Sequence, residues 1–237
     1  MKKIIVTLLL IMGINSCTSK EDSFCCDSQF SKSFIQVFVI ADEENTGCKY
    51  YAENDAIWLI IGGETVAANG YLGNYLGNTN YGRPAQELLN YYCEQFGDTC
   101  YNSGVLRFEN CAVVDVFFID VTCNKDFNDY PAGSSLKEII EFIGSSLFEF
   151  IESGYTKNFD WLSNVPSDIE KYPSIRKNGY HPIIKKLSEI EHSDMKLLDP
   201  ISYLRFTEMP LPGDYIFTIN FKSSDKEIVK NVNIRFF

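Results

Sequence analysis

The chain has 237 residues, 45% of them hydrophobic, with 18 Phe, 14 Tyr and a formal net charge of −11. That apolar content excludes a disordered tail, since such a chain can bury a core. The acidic balance excludes nucleic acid as a partner and an electrostatic grip on anionic headgroups, because both need clustered positive charge.

Lys2 and Lys3 precede an apolar run over residues 4–14, broken only by Thr7 and Gly13. This is the charge and length pattern of a secretory signal, and it is too short for a bilayer core that takes about 20 apolar residues. It predicts a signal peptide over residues 1–16. Ile14-Asn15-Ser16-Cys17 resembles the lipobox of bacterial lipoproteins. The resemblance implies a diacylglycerol on the Cys17 thiol, cleavage before it, and an acyl chain such as palmitate on the new amino terminus. Each buried methylene adds about 0.8 kcal/mol, so several chains hold where one is marginal. The neighbouring Ser19-Lys20-Glu21-Asp22 resembles the export signal of Bacteroidetes lipoproteins, which implies an outer-membrane location facing the exterior. The alternative is an ordinary secretory signal with Cys17 as a disulfide cysteine.

Cleavage leaves 221 of the 237 residues, and loss of Lys2 and Lys3 takes the charge from −11 to −13. Residues 17–33 read as a polar lipidated tether and residues 34–237 as one β-rich domain with helical insertions. Residues 34–40 are β-rich, residues 42–47 form a polar turn, and residues 56–61 (AIWLII) read as a buried strand ended by Gly62-Gly63. Residues 69–84, rich in Gly and Asn, predict an exposed loop; Leu88, Leu89 and Tyr92 then share one face of a helix starting after Pro84. Residues 105–108 have strand character. Residues 112–122 read as one long buried strand. Ser135-x-x-Glu138 matches a capping box opening a helix that carries Leu136, Ile139, Ile140, Ile143, Leu147, Phe150 and Ile151 on one side and ends at Gly154. Residues 182–190 suggest a short helix. Tyr215, Phe217, Ile219 and Phe221, then Ile228, Lys230, Val232, Ile234 and Phe236, alternate around a turn at residues 223–226 and predict a hairpin. This order predicts a mainly β (α+β) fold, an antiparallel immunoglobulin-like β-sandwich decorated with two or three inserted helices.

Seven cysteines follow Cys17, and in an exported chain they are disulfide candidates before metal ligands. Cys25 and Cys26 are adjacent, so at most one of them pairs. Cys93 and Cys100 flank a short span with a Gly97-Asp98 turn and are the favoured pair. Cys111 and Cys123, at opposite ends of one extended strand, would stand roughly 40 Å apart, which leaves Cys48 and Cys26 or Cys25 as their partners. Zinc fails, because there is no C-x-x-C and His181 and His192 lie far from the cysteines.

Residues 122–136 (TCNKDFNDYPAGSSL) resemble a pattern in a group of uncharacterised Bacteroidetes outer-membrane, cell-surface lipoproteins: a strand, a "DF" segment, a "PAGSSL" turn and a helix. Residues 212–218 (PGDYIFT) resemble their last hairpin. The resemblance implies export and a β-rich fold and carries no activity with it.

Asn124, Asp126, Asn128 and Asp129 offer oxygen ligands for Ca²⁺, but Asp129 stands where an EF-type loop needs Gly and Ser135 where it needs Glu, so a hydrogen-bonded turn into the helix is favoured. Tyr71, Tyr75 and Tyr81 on a Gly/Asn backbone suit a recognition surface on which sugars stack; the bland alternative is that they pack on their own sheet. Neither a G-x-S-x-G elbow nor a G-K-[ST] phosphate loop occurs. His181 and His192 read as exposed histidines, and Glu138, Glu141, Glu149 and Glu152 as the wet face of the helix. No cofactor, catalytic residue or metal site is expected. The favoured function is a non-enzymatic binding module for an extracellular ligand or protein; the rivals are a hydrolase acting on glycans and a structural part of an envelope assembly.

Overall fold

The computed structural model describes residues 30–31, 33–67, 79–80, 83–101, 103–104, 110–114, 116, 118–161, 164, 167, 169–172, 174–175, 177, 179–223 and 226–237. Cys17, Cys25, Cys26, Tyr71, Tyr75 and Tyr81, and the strand expected over residues 105–108, lie outside them.

The strands are β1 (Phe30–Ser31), β2 (Val37–Ala41), β3 (Gly47–Tyr51), β4 (Ala56–Ile60), β5 (Gly63–Ala67), β6 (Thr79–Asn80), β7 (Ser103–Gly104), β8 (Cys111–Val114), β9 (Phe118–Cys123), β10 (Ile140–Ser146), β11 (His181–Lys186), β12 (Ile201–Phe206), β13 (Gly213–Lys222) and β14 (Glu227–Phe236). The α-helices are α1 (Arg83–Phe96) and α2 (Phe148–Glu152). The fold is mainly β with antiparallel sheets and few helices. A five-stranded sheet, β11-β10-β12-β4-β3, and a three-stranded one, β14-β13-β9, are antiparallel throughout. A four-stranded sheet, β6-β5-β2-β8, mixes antiparallel β2–β5 with parallel β2–β8 and β5–β6, and β1 pairs with β7. Phe30 and Ser31, expected in the tether, therefore belong to a strand.

The alternating hairpin stands as expected: Tyr215, Phe217, Ile219 and Phe221 of β13 and Ile228, Val232, Ile234 and Phe236 of β14 enter the core they share with Ile57, Leu59, Ile140, Phe142, Leu204 and Phe206. Phe127, the aromatic of the "DF" segment, sits at its centre, with the Phe206, Phe217, Tyr215 and Phe236 rings 5.7–6.5 Å away. A second cluster joins Phe34, Ile35, Phe38 and Val66 to Leu89 and Cys93 of α1. A third covers the outer face of the five-stranded sheet, where Ile169, Tyr172 and Ile175 meet Ala56, Ile143 and Tyr203.

The α1 helix ends where Gly97 takes φ +75°, with Gly97 N–H donating to the Glu94 carbonyl and Asp98 N–H to the Cys93 carbonyl. That pair of bonds is a Schellman closure, which suits glycine because no Cβ resists the left-handed backbone.

Three expected elements differ. The helix over residues 135–151 is instead a turn, the strand β10, and the short α2. β10 lies between β11 and β12 and is buried on both faces, Ile140 and Phe142 facing the three-stranded sheet and Ile143 the opposite side. A run that is apolar on both sides satisfies helical spacing and a central strand alike, and here sheet pairing decided. Ser135 Oγ bonds Asp120 in place of a helix N-terminus. The long strand over residues 112–122 is two strands in different sheets, because β8 is buried at all four positions while β9 alternates between core and solvent. Residues 182–190 form β11 with Pro182 in an edge strand, followed by a 3-10 turn at Leu187–Glu189.

Candidate functional site

Among the described residues no disulfide joins the candidates Cys48, Cys93, Cys100, Cys111 and Cys123. The favoured Cys93–Cys100 bridge is not formed. Cys93 points under α1 into the apolar cluster around Phe38, whereas Cys100 is exposed past the helix end, so the helix closure separates them. Burial, with the Asp98 carboxylate adding to it, pushes the Cys93 thiol up to about 12, which keeps it a protonated core group.

The oxygen-rich segment is the hydrogen-bonded turn, leading into β10 in place of a helix. Asp126 Oδ1 accepts from Ala132 N–H at 2.8 Å, Asn124 Oδ1 from Ile216 N–H at 2.8 Å, and Asn128 Nδ2 donates to the Met209 carbonyl at 3.3 Å. Among the described residues no group of three His, Cys, Asp or Glu side chains could hold a metal ion. The four glutamates do not share one helix face: Glu149 and Glu152 are exposed on α2, whereas Glu141 sits in β10 and pairs with Arg205, and Glu138 accepts from Ser188 Oγ at 3.0 Å.

The geometry gathers a different set. Tyr180 carries its carbonyl to Trp161, whose Nε1 donates to it at 2.8 Å. Phe159 meets the Trp161 ring edge-on at 5.0 Å and the His181 ring at 6.1 Å. His181, the first residue of β11, has Nε2 2.7 Å from the Lys157 carbonyl and Nδ1 3.5 Å from Glu149 Oε2. A carbonyl only accepts, so Nε2 carries hydrogen and Nδ1 faces the carboxylate. Lys177 Nζ lies 5.8 Å over the Trp161 ring, and Lys196 Nζ 4.6 Å over Phe148. Phe159, Trp161 and His181 are half-buried, so part of each ring meets solvent. The result is an aromatic shelf edged by Glu149, Lys157 and Lys177. Rings of this kind offer apolar contact area with polar groups at its margin. The signal for it was Phe159-Asp160-Trp161, which places one of only two tryptophans in a segment that otherwise reads as mixed.

Behind the shelf, a polar lock ties the chain together. Asp98, fully buried, accepts from Phe34 N–H and Ile35 N–H at 2.7 Å each and from Tyr155 Oη at 2.9 Å. Tyr180 Oη bonds Cys111 through both its N–H and its carbonyl, at 3.1 and 2.6 Å. Burial raises the Asp98 carboxyl, and the two backbone N–H bonds oppose it. No helix of the described residues is long and apolar enough to cross a membrane. Comparison with family models, with curated proteins and with solved structures finds no match.

Proposed function

We propose that the chain is an exported lipoprotein, held through acylated Cys17 on the outer face of the outer membrane, whose β-rich domain binds an extracellular ligand or protein. The observation that carries this reading is Ile14-Asn15-Ser16-Cys17 behind a positively started apolar run, with Ser19-Lys20-Glu21-Asp22 after it. The kinship with the Bacteroidetes surface lipoproteins, drawn from residues 122–136 and 212–218, belongs to the same reading. So does an immunoglobulin-like sandwich, supported by an apolar cluster in which the three-stranded sheet packs against residues of the five- and four-stranded sheets. The aromatic shelf at Phe159, Trp161 and His181 is the proposed contact surface.

Labelled palmitate tests the anchor: wild type incorporates it and Cys17→Ala does not, while equal labelling defeats the reading. Protease added to intact cells digests the domain if it faces outward. A glycan-hydrolysing activity abolished by Glu149→Gln would replace the binding role with catalysis.

A further inference from the structure

The outer face of the five-stranded sheet is covered by the segment around Tyr172, whereas the outer face of β9-β13-β14 carries a regular grid of solvent-facing side chains. Across β13 and β14 its rows are Asp214 with Arg235, Ile216 with Asn233, Thr218 with Asn231, Asn220 with Val229, and Lys222 with Glu227. β9 adds Thr122, Asp120 and Phe118 opposite Thr218, Asn220 and Lys222. Of the seven large hydrophobic side chains exposed among the described residues, Phe118, Ile216 and Val229 lie on this face, and Met209 and Leu211 precede its Asp214 end.

We infer that this face is a self-complementary contact on which a second copy of the chain docks through a two-fold axis. The axis lies in the contact plane, across the strands at the Thr218–Asn231 row, so each strand meets its own copy running the other way. Asp214 then faces Lys222 of the second copy, and Arg235 faces Glu227, so each in-chain pair meets its reverse. Ile216 faces Asn220 and stands one strand away from Val229 of the second copy. Phe118 comes over the Asp214 and Ile216 end. The centre is satisfied before docking, because Thr218 Oγ1 donates to Asn231 Oδ1 at 2.8 Å. Arg235 grips Asp214 with two bonds, at 2.5 and 3.1 Å, and with Lys125 nearby holds its carboxyl below the usual carboxylate range. Both charges are therefore present at neutral pH.

The charges on this grid, Asp120, Asp214 and Glu227 against Lys222 and Arg235, nearly cancel in a chain of net charge −11, so here two copies meet with little of the repulsion they carry elsewhere. Ten residues at about 3.4 Å along three strands about 4.8 Å apart make a face of roughly 500 Å², or roughly 1,000 Å² for the pair. That area is the lower limit of a specific interface and gives a weak dimer, with a dissociation constant of about 1–100 μM.

Sedimentation equilibrium of the full chain in a density-matched non-ionic detergent reads the association directly. Wild type is expected to dimerise with a constant in that range. Lys222→Glu with Glu227→Lys keeps the in-chain pair but places like charges opposite Asp214 and Arg235 of the second copy, and weakens the dimer at least tenfold. Adding Asp214→Arg and Arg235→Asp restores opposite charges at every contact and recovers the wild-type constant. A monomeric wild type at 500 μM (about five times the upper constant), a doubly substituted chain that dimerises unchanged, or a fourfold variant that fails to recover would each overturn the inference.

Discussion

The carboxylate of Asp98 takes the backbone N–H of Phe34 at 2.7 Å across 64 positions of sequence. Its other oxygen takes Ile35, and Tyr155 closes the third side, so the end of α1, the entry to β2 and the turn after α2 are fastened at one buried group. Asp98→Ala leaves two buried N–H groups without acceptors, each costing about 1–3 kcal/mol, so a total loss of roughly 3–5 kcal/mol is expected in urea unfolding. Asp98→Asn keeps one acceptor and loses less.

The same group predicts a pH dependence. Burial raises the folded-state pKa of Asp98 above its unfolded value. The native state therefore holds the proton more tightly, and the associated stability is present below the unfolded pKa and lost as pH rises through the folded one. The stability of wild type relative to Asp98→Asn should fall as pH rises above about 4, the ordinary Asp value, because the folded carboxyl is raised by burial. Urea midpoints of both proteins at several pH values check the slope, and a difference that grows with pH contradicts it.

Phe127 projects from a surface turn into the centre of four aromatic rings and is fully buried. Phe127→Ala should cost about 3–5 kcal/mol, the range for a large buried ring replaced by a cavity. Phe127→Leu should recover much of it. Chemical denaturation of the three proteins gives the ranking.

Gly63 starts β5 where a Cβ would stand 1.8 Å from the Ile40 carbonyl oxygen. Nothing but backbone is available to move, so Gly63→Ala should separate β2 from β5 at a cost of more than about 3 kcal/mol. Gly47→Ala, with nothing within 4 Å of its Cβ, is the matched control and should be nearly silent. Thermal unfolding of both decides.

Thiol reactivity should divide the cysteines by burial. Cys100 is exposed, whereas Cys93, Cys111 and Cys123 are buried, and Cys93 and Cys123 are held above the ordinary thiol range chiefly by burial. Iodoacetamide should alkylate Cys100 in the native protein and the other three only after unfolding, as read by peptide mass. Native protection of Cys100 together with Cys93, reversed by reductant, would instead mark a bridge between them.

Patterns that face one medium on each side were legible from sequence alone. β13 and β14 alternate because one face meets the core and the other meets water, and α1, which begins at Arg83 with Pro84 in its first turn, stops at Gly97 for local reasons of backbone geometry. Residues 135–151 have no such contrast: an apolar run buried on both faces fits a helix or a central strand, and the pairing of β10 with β11 and β12 settled it. Tertiary structure also divided residues 112–122 between two sheets, kept Cys93 and Cys100 apart, and turned Asp98 from a turn residue into a buried lock. The aromatic shelf belongs with these, since Phe159, Trp161, His181 and Glu149 come from separate elements. Local spacing carries information about neighbours along the chain, while the partners of a buried strand, a thiol or a carboxylate are chosen by long-range packing. The proposed membrane anchor is the reverse case: it rests on seventeen consecutive residues and needs no fold to be read.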